Sequence, residues 1–217
     1  MKIHNSAFID LLVTVLGNSP LPGFEAQSRM APPDRFSSDY TAYPSGSRLA
    51  AVLIVLEHSG NKIRIPLIVR ADNGTHHSGQ IALPGGIHQE PELYPIDTAL
   101  REAQEETNLP RDAVDILGYL TPLYIPVSNF SVAPVIASCR NRVTLQPDHY
   151  EVDDIRWIYL EELQNPPQYD YFLSRSAGKH IRAPYFATRA GKIWGATAMI
   201  LFELSEIIRN IPEGPLQ

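Results

Sequence analysis

Glu102, Glu105 and Glu106 follow Arg101 closely, and Gly85-Gly86 lies upstream of them. On a helix turning about 100° per residue, the three glutamates fall within an arc of about 100° and share one face. Glu102 and Glu106, four apart, repel each other at a cost of about 0.2–0.5 kcal/mol unless something neutralises them. Arg101 sits four residues before Glu105 and can balance that acid, which leaves Glu102 and Glu106 for a hard cation. Ligands that are all oxygen select Mg²⁺ or Mn²⁺, and Mg²⁺ commonly takes one or two carboxylates while keeping waters and substrate phosphate. Hydrolysis of a phosphoanhydride needs charge cancelled on the substrate oxygens, a water placed in line and that water's pKa lowered, and a bound dication can do all three. Gly85-Gly86 allows close backbone approach, so a carbonyl there can complete the coordination while the absence of side chains leaves room for phosphate. By composition alone three helical glutamates are an ordinary solvated face, and it is the spacing that gives them chemistry.

The helix needed to present these groups is predicted over about 96–107. Ile96, Ala99, Leu100, Ala103 and Thr107 occupy the neighbouring arc and can pack on a sheet. Asp97 is a reasonable N-cap, Asn108 can take the left-handed conformation that ends a helix, and Pro110 prevents extension. Strand patterns cover Ala50–Leu56 and Ile63–Val69, joined at a turn-like His58 to Asn61 as a hairpin. Others cover Gln80–Leu83, Ile116–Leu123, Val132–Ala137, Ile155–Tyr159, Ala183–Phe186 and a short Lys192–Trp194. A second helix spans Ala196–Arg209, mixing an apolar face with charge. Strands interleaved with helices, without regular βαβ alternation, predict an α/β protein whose mixed sheet is covered on both faces.

Ahead of this body, residues 6–16 place Phe8, Leu11, Leu12 and Val15 at helical spacing, with Gly17 as a stop. The Pro-, Gly- and Ser-rich stretch from Asn18 to Ser47 opposes regular structure over most of its length. The expected division is therefore 1–47 as an N-terminal helix and Pro-rich arm, and 48–217 as the main domain. The arm would pack on that domain or on a second subunit, which allows a homodimer.

An apolar fraction of 44% and a charged fraction of 19% are those of an ordinary folded globule. The net charge is −6, and between residues 89 and 106 six carboxylates face one arginine. That acidity repels phosphate without a cation and opposes broad binding to nucleic acid or an anionic membrane. A lone cysteine, Cys139, allows no internal disulfide and no thiolate metal cluster. With no signal-peptide or membrane-span pattern, the expected location is cytoplasmic. The histidines show no H-x-x-x-H ligand pair. His76-His77 lies in a turn where solvated histidines also collect, and Trp157 and Trp194 read as core.

Gly86, Glu92, Arg101-Glu102-Ala103, Glu105-Glu106 and Leu109 resemble the box of the Nudix hydrolase superfamily, G-x5-E-x7-R-E-U-x-E-E-x-G-U. Two departures stand out: eight residues separate Glu92 from Arg101, and Asn108 replaces the last Gly. The preceding stretch from Leu67 to Gly86 resembles the accessory motif of the coenzyme A pyrophosphatase branch, which carries the same extra residue. Within it Arg70, His77 and Gly79 match, whereas Thr75 stands where a second Arg is usual and Gly74 where an aliphatic residue is usual. Tyr124 to Phe130 and Ile193 to Thr197 extend the similarity, so that it covers roughly 48–205.

The resemblance implies the Nudix fold, an α/β/α sandwich, with Mg²⁺ or Mn²⁺ on Glu102 and Glu106, helped by Glu105 and the Gly85 carbonyl. It implies Glu105, Arg101 and Glu151 as catalytic candidates, Arg70, His77 and Gly86 as substrate-binding residues, and Glu92 as a structural partner. Glu151 has an equally ordinary reading as a solvated loop acid. The implied partner is a small-molecule nucleoside diphosphate, foremost coenzyme A or an acyl-CoA. Two alternatives stay open: hydrolysis of ADP-ribose, a dinucleotide or another nucleoside diphosphate derivative, and a Nudix-fold sensor that binds without turnover.

Overall fold

The computed structural model describes residues 5–32, 42–72, 79–139, 141–174 and 178–211. The predicted hairpin forms from β1 (Arg48–Ser59) and β2 (Lys62–Arg70), antiparallel and turning at Gly60, where φ is +64°. β7 (Phe130–Cys139) runs parallel to β1 along its length, from Arg48 opposite Phe130 to Glu57 opposite Cys139. β5 (Val114–Tyr119) and β6 (Leu123–Ile125) pair antiparallel with β7, and β8 (Val152–Tyr159) pairs antiparallel with β2. Two short strands, β3 (Ile81–Ala82) on β2 and β4 (Gly85–Ile87) on β1, complete a mixed sheet. A separate antiparallel sheet holds β9 (Gln168–Ser174), β10 (Lys179–Thr188) and β11 (Gly191–Trp194).

β1 reads as an almost unbroken apolar run because both of its faces are buried. Ala51, Leu53 and Val55 point to one face, where Val135, Ala137 and Cys139 of β7 join Ala99 and Ala103 of α3 (Ile96–Thr107). Ala50, Ile54 and Leu56 point to the other, against α4 (Gly195–Arg209) and the N-terminal helix α1 (Asn5–Asn18). Helices therefore cover both faces in an α/β/α sandwich. The α3 side is built from small residues, so the helix sits close to the strands. The α4 side carries Phe8, Met30, Phe186 and Phe202, all buried.

Several expectations need correction. The strand expected over Ile116–Leu123 is two strands, because the register shifts between Ile116 and Gly118 and the Thr121 N–H is bonded to the Glu203 carboxylate instead of the ladder. Asp97 does not cap α3. Pro95 precedes the helix, and Asp97 in its first turn accepts the Leu93 N–H at 3.0 Å. Helix α1 runs one residue past Gly17, to Asn18. The Pro-rich arm contains a further helix, α2 (Gly23–Ser28), whose Ala26 and Gln27 are buried against α4. β4 and β9 are also additions. No helix among the described residues is long and apolar enough to cross a membrane.

Candidate active site

β4 and α3 build the site between them. The Gly85 N–H donates to Glu106 Oε2 at 2.8 Å, tying the strand to the last turn of the helix. A Cβ on Gly85 would stand 2.3 Å from the Ala51 carbonyl oxygen, and one on Gly86 would stand 2.5 Å from the Glu102 carboxyl carbon. Only glycines let β4 lie this close to both β1 and the carboxylates. Asn108 ends α3 with φ 54°, the left-handed cap expected from its position.

The carboxylates on this face differ sharply in surroundings. Glu106 is 1% exposed, and burial pushes its pKa up to about 7. The Arg70 guanidinium, 3.8 Å away at Nη1, and the Gly85 N–H pull it down, while Glu102 and Glu151 add repulsion. Burial also raises Glu102, with Glu105 and Glu151 acting the same way against Arg101. Glu105 lies on the rim with its side chain 56% exposed.

Arg101 is the hub that fixes the helix to the strand. Its Nη1 contacts Glu102 and Glu105, each at 2.8 Å, its Nη2 donates to the Ile87 carbonyl at 2.8 Å, and its Nε donates to Glu92. Burial alone would raise Glu92, but hydrogen bonds from Arg101, Thr98 and the Gln89 N–H outweigh it and hold the pKa at about 2. His88 adds a contact to Thr98 at 3.1 Å. Thr98, His88 and the Ile87 carbonyl were not singled out from sequence. The spacing of Thr98 from Glu92 was the available signal, but the reversal of the chain at Leu93 to Pro95 that brings them together is not readable from periodicity.

Sequence spacing left Glu102 free of Arg101, and here the structure differs, because the guanidinium fork reaches Glu102 as well as Glu105. Among the described residues no group of three acidic, histidine or cysteine side chains stands together as a ready metal cluster. The donor set nevertheless fits a divalent cation. Glu102 and Glu106 both have raised pKa values from burial and shared negative charge, a bare glycine fronts the Glu102 carboxyl, and the Gly85 carbonyl joins the group, accepting from Arg70 Nη2 at 3.3 Å. Arg70, Gly85, Gly86, Glu92, Arg101, Glu102, Glu105 and Glu106 thus come together. Glu151 is exposed on the loop before β8, its charge felt by Glu102 and Glu106. His77 lies outside the described residues.

Residues 47–176 match the NUDIX domain family. The chain belongs to the Nudix family. The Nudix match takes in β1 to β9 and hence both β4 and α3. A relative named uncharacterized Nudix hydrolase NudL, from Photorhabdus laumondii, is 31% identical over 183 residues, covering 84% of this chain and 94% of its own. A protein of the same name from Yersinia enterocolitica is 32% identical over 165 residues, covering 76% and 84%. Among solved structures, a Nudix hydrolase from M. smegmatis, RenU, superposes with a TM-score of 0.55 at 19% identity, covering 76% of this chain and 88% of that one. A MutT/nudix family protein from Enterococcus faecalis gives 0.52 at 16% identity, covering 94% and 76%. These two support the Nudix fold, and the family match and NudL relatives make the chain a Nudix hydrolase. Nudix hydrolases generally work with divalent metal ions on small nucleotide substrates.

Proposed function

We propose that this Nudix hydrolase uses Mg²⁺ or Mn²⁺ to cleave the diphosphate of a nucleoside diphosphate derivative, with coenzyme A or an acyl-CoA as the substrate. The observation that carries the reading is Glu106: a glutamate almost without solvent contact, close to the charge of Glu102, with one arginine 3.8 Å away and no closer cation among the described residues. A buried carboxylate left so poorly compensated is characteristic of a functional position.

Glu102, Glu106 and the Gly85 carbonyl would hold the ion, with Glu105 as a further oxygen donor at the rim. When bound, the ion supplies charge cancellation on the diphosphate and acidifies the attacking water. Arg101 and Glu92 orient the helix face, and Arg70 and Gly86 meet phosphate oxygens, the one through its guanidinium and the other through a backbone without a side chain. Glu151 is the carboxylate that accepts the water's proton, because Glu105 is engaged by Arg101. The water oxygen bonds to one phosphorus, the bridging P–O bond breaks, and the departing phosphate keeps the electron pair. With coenzyme A the products are 4′-phosphopantetheine and adenosine 3′,5′-bisphosphate. The main domain is 48–217, with 1–47 as its arm.

Similarity to the accessory motif, centred on Arg70 and Gly79, supports coenzyme A. Thr75, in place of a second arginine, favours the second reading, a substrate without the 3′-phosphate such as ADP-ribose or a dinucleotide. Incubation with Mg²⁺ and coenzyme A, ADP-ribose, NADH and diadenosine polyphosphates, followed by product identification, tests both. The expected result is coenzyme A consumed to the two named products. Consumption of ADP-ribose or a dinucleotide instead would select the second reading, and no consumption of any diphosphate would overturn both.

A further inference from the structure

The loop entering β8 is pinned at both ends to the charged site. On one side the Asp148 N–H donates to the Glu106 carbonyl at 3.1 Å, and the Gln146 N–H to the Thr107 carbonyl at 2.9 Å. On the other, the Ala71 N–H donates to the Glu151 carbonyl at 2.9 Å, and Val152 pairs with Arg70. Within the loop, the N–H groups of Glu151 and Val152 both reach the Asp148 carbonyl, at 3.0 and 2.8 Å, while Asp148 Oδ1 takes the Tyr150 N–H at 3.2 Å. Few donors in this turn are left to water, so its backbone is held in one shape.

Tyr150 stands on that braced turn with 87% of its surface exposed, the most exposed large apolar side chain among the described residues. It has no ring contact or side-chain hydrogen bond within them. It lies one residue from Glu151, whose charge reaches Glu102 and Glu106, and two from Asp148, whose N–H donates to the Glu106 carbonyl, so the turn that carries it borders the carboxylate cluster. An exposed aromatic is unremarkable on a loose loop. On a braced one beside a phosphate site the backbone beneath the ring is already ordered, so that only the ring's own rotamer freedom is lost when a planar group settles on it.

We propose that Tyr150 is the stacking platform for the nucleobase of the substrate, making it a specificity-determining residue outside the Nudix box. This rests on the reading that the site cleaves nucleoside diphosphates. Base–aromatic stacking tolerates any base because each has a π face, so the platform selects a base-bearing diphosphate over a base-free one without choosing among bases.

Two measurements on the full chain separate the platform from the reaction. With the substrate that the wild type turns over, Tyr150→Ala should raise KM about tenfold with kcat within about twofold, and Tyr150→Phe should restore KM. Calorimetric titration with ADP, and with ribose 5-phosphate as the base-free control, reads the platform without turnover. Tyr150→Ala should weaken ADP about tenfold and leave ribose 5-phosphate unchanged. Unaltered ADP affinity in Tyr150→Ala, or no ADP binding by the wild type, overturns the platform. If ADP binding depends on Tyr150 but no diphosphate is cleaved, the platform stands and the hydrolytic reading falls.

Discussion

Glu106 and Glu203 are both glutamates on helices, both lie against the central sheet, and both are almost wholly buried, at 1% and 0% exposed. On the α4 side, Glu203 accepts from the Gly23 N–H at 3.1 Å, Gln27 Nε2 at 2.8 Å, the Thr121 N–H at 3.2 Å and Thr121 Oγ1 at 2.6 Å. Burial still raises its pKa, with those donors opposing the rise. On the α3 side, Glu106 has one close donor among the described residues, the Gly85 N–H, and like charges nearby. A buried carboxylate surrounded by neutral donors joins pieces of structure, here the arm, the β5–β6 link and α4. A buried carboxylate left short of partners is where the proposed metal ion would supply the missing charge.

The widest gap between the two should appear on substitution. Glu106→Gln should cut turnover at least about 10²-fold while leaving Tm within a few degrees, measured by steady-state rates and thermal melts. Wild-type rates from that variant would erase the distinction. Glu203→Ala should do the reverse. It removes the acceptor shared by four donors, one buried and three part-buried, and should cost about 3 kcal/mol of stability, a fall in Tm of about 6–12 °C, with kcat of the folded protein unchanged.

The adjacent glycines carry the same contrast at smaller scale. Gly85→Ala would press a Cβ against the backbone of β1 and should cost about 1–3 kcal/mol in denaturant unfolding. Gly86→Ala would press its Cβ first on the end of the Glu102 side chain, which can swing away, so activity should drop with little change in stability. Equal destabilisation by both would mean that Glu102 is as fixed as the strand.

The smallest effect expected is on pH dependence. Glu92 has a folded pKa of about 2, below its ordinary 4.5, so its stabilisation is present above about 4.5 and is lost as pH falls from there towards 2. Tm of the wild type should therefore fall more steeply through that window than Tm of Glu92→Gln. Parallel curves would show that the Arg101 pair does not hold the helix in place.

The contrast also marks what the sequence could tell. Helix α3, its carboxylate face and its Asn108 cap are local features, written in spacing and in one residue's tolerance of positive φ. The β1–β2 hairpin is equally local. Glu203 reads in sequence as one charge on a mixed helix, because its partners Gln27 and Thr121 are 176 and 82 residues away. Helix α2 is hidden among prolines for the same reason, since burial of Gln27 and Met30 against the main domain outweighs the local composition. The near-complete burial of Glu106 also depends on a distant element, β4, passing beside it. Arg101's third partner, Glu102, was missed because spacing on a helix does not show which way a guanidinium fork turns.

Titration with Mn²⁺, followed by electron paramagnetic resonance, tests most directly whether the α3 carboxylates hold a dication. The wild type and Glu203→Gln should bind the ion alike, and Glu106→Gln should lose at least about tenfold in affinity. Equal binding by all three proteins would contradict the assignment of Glu106 as a metal ligand.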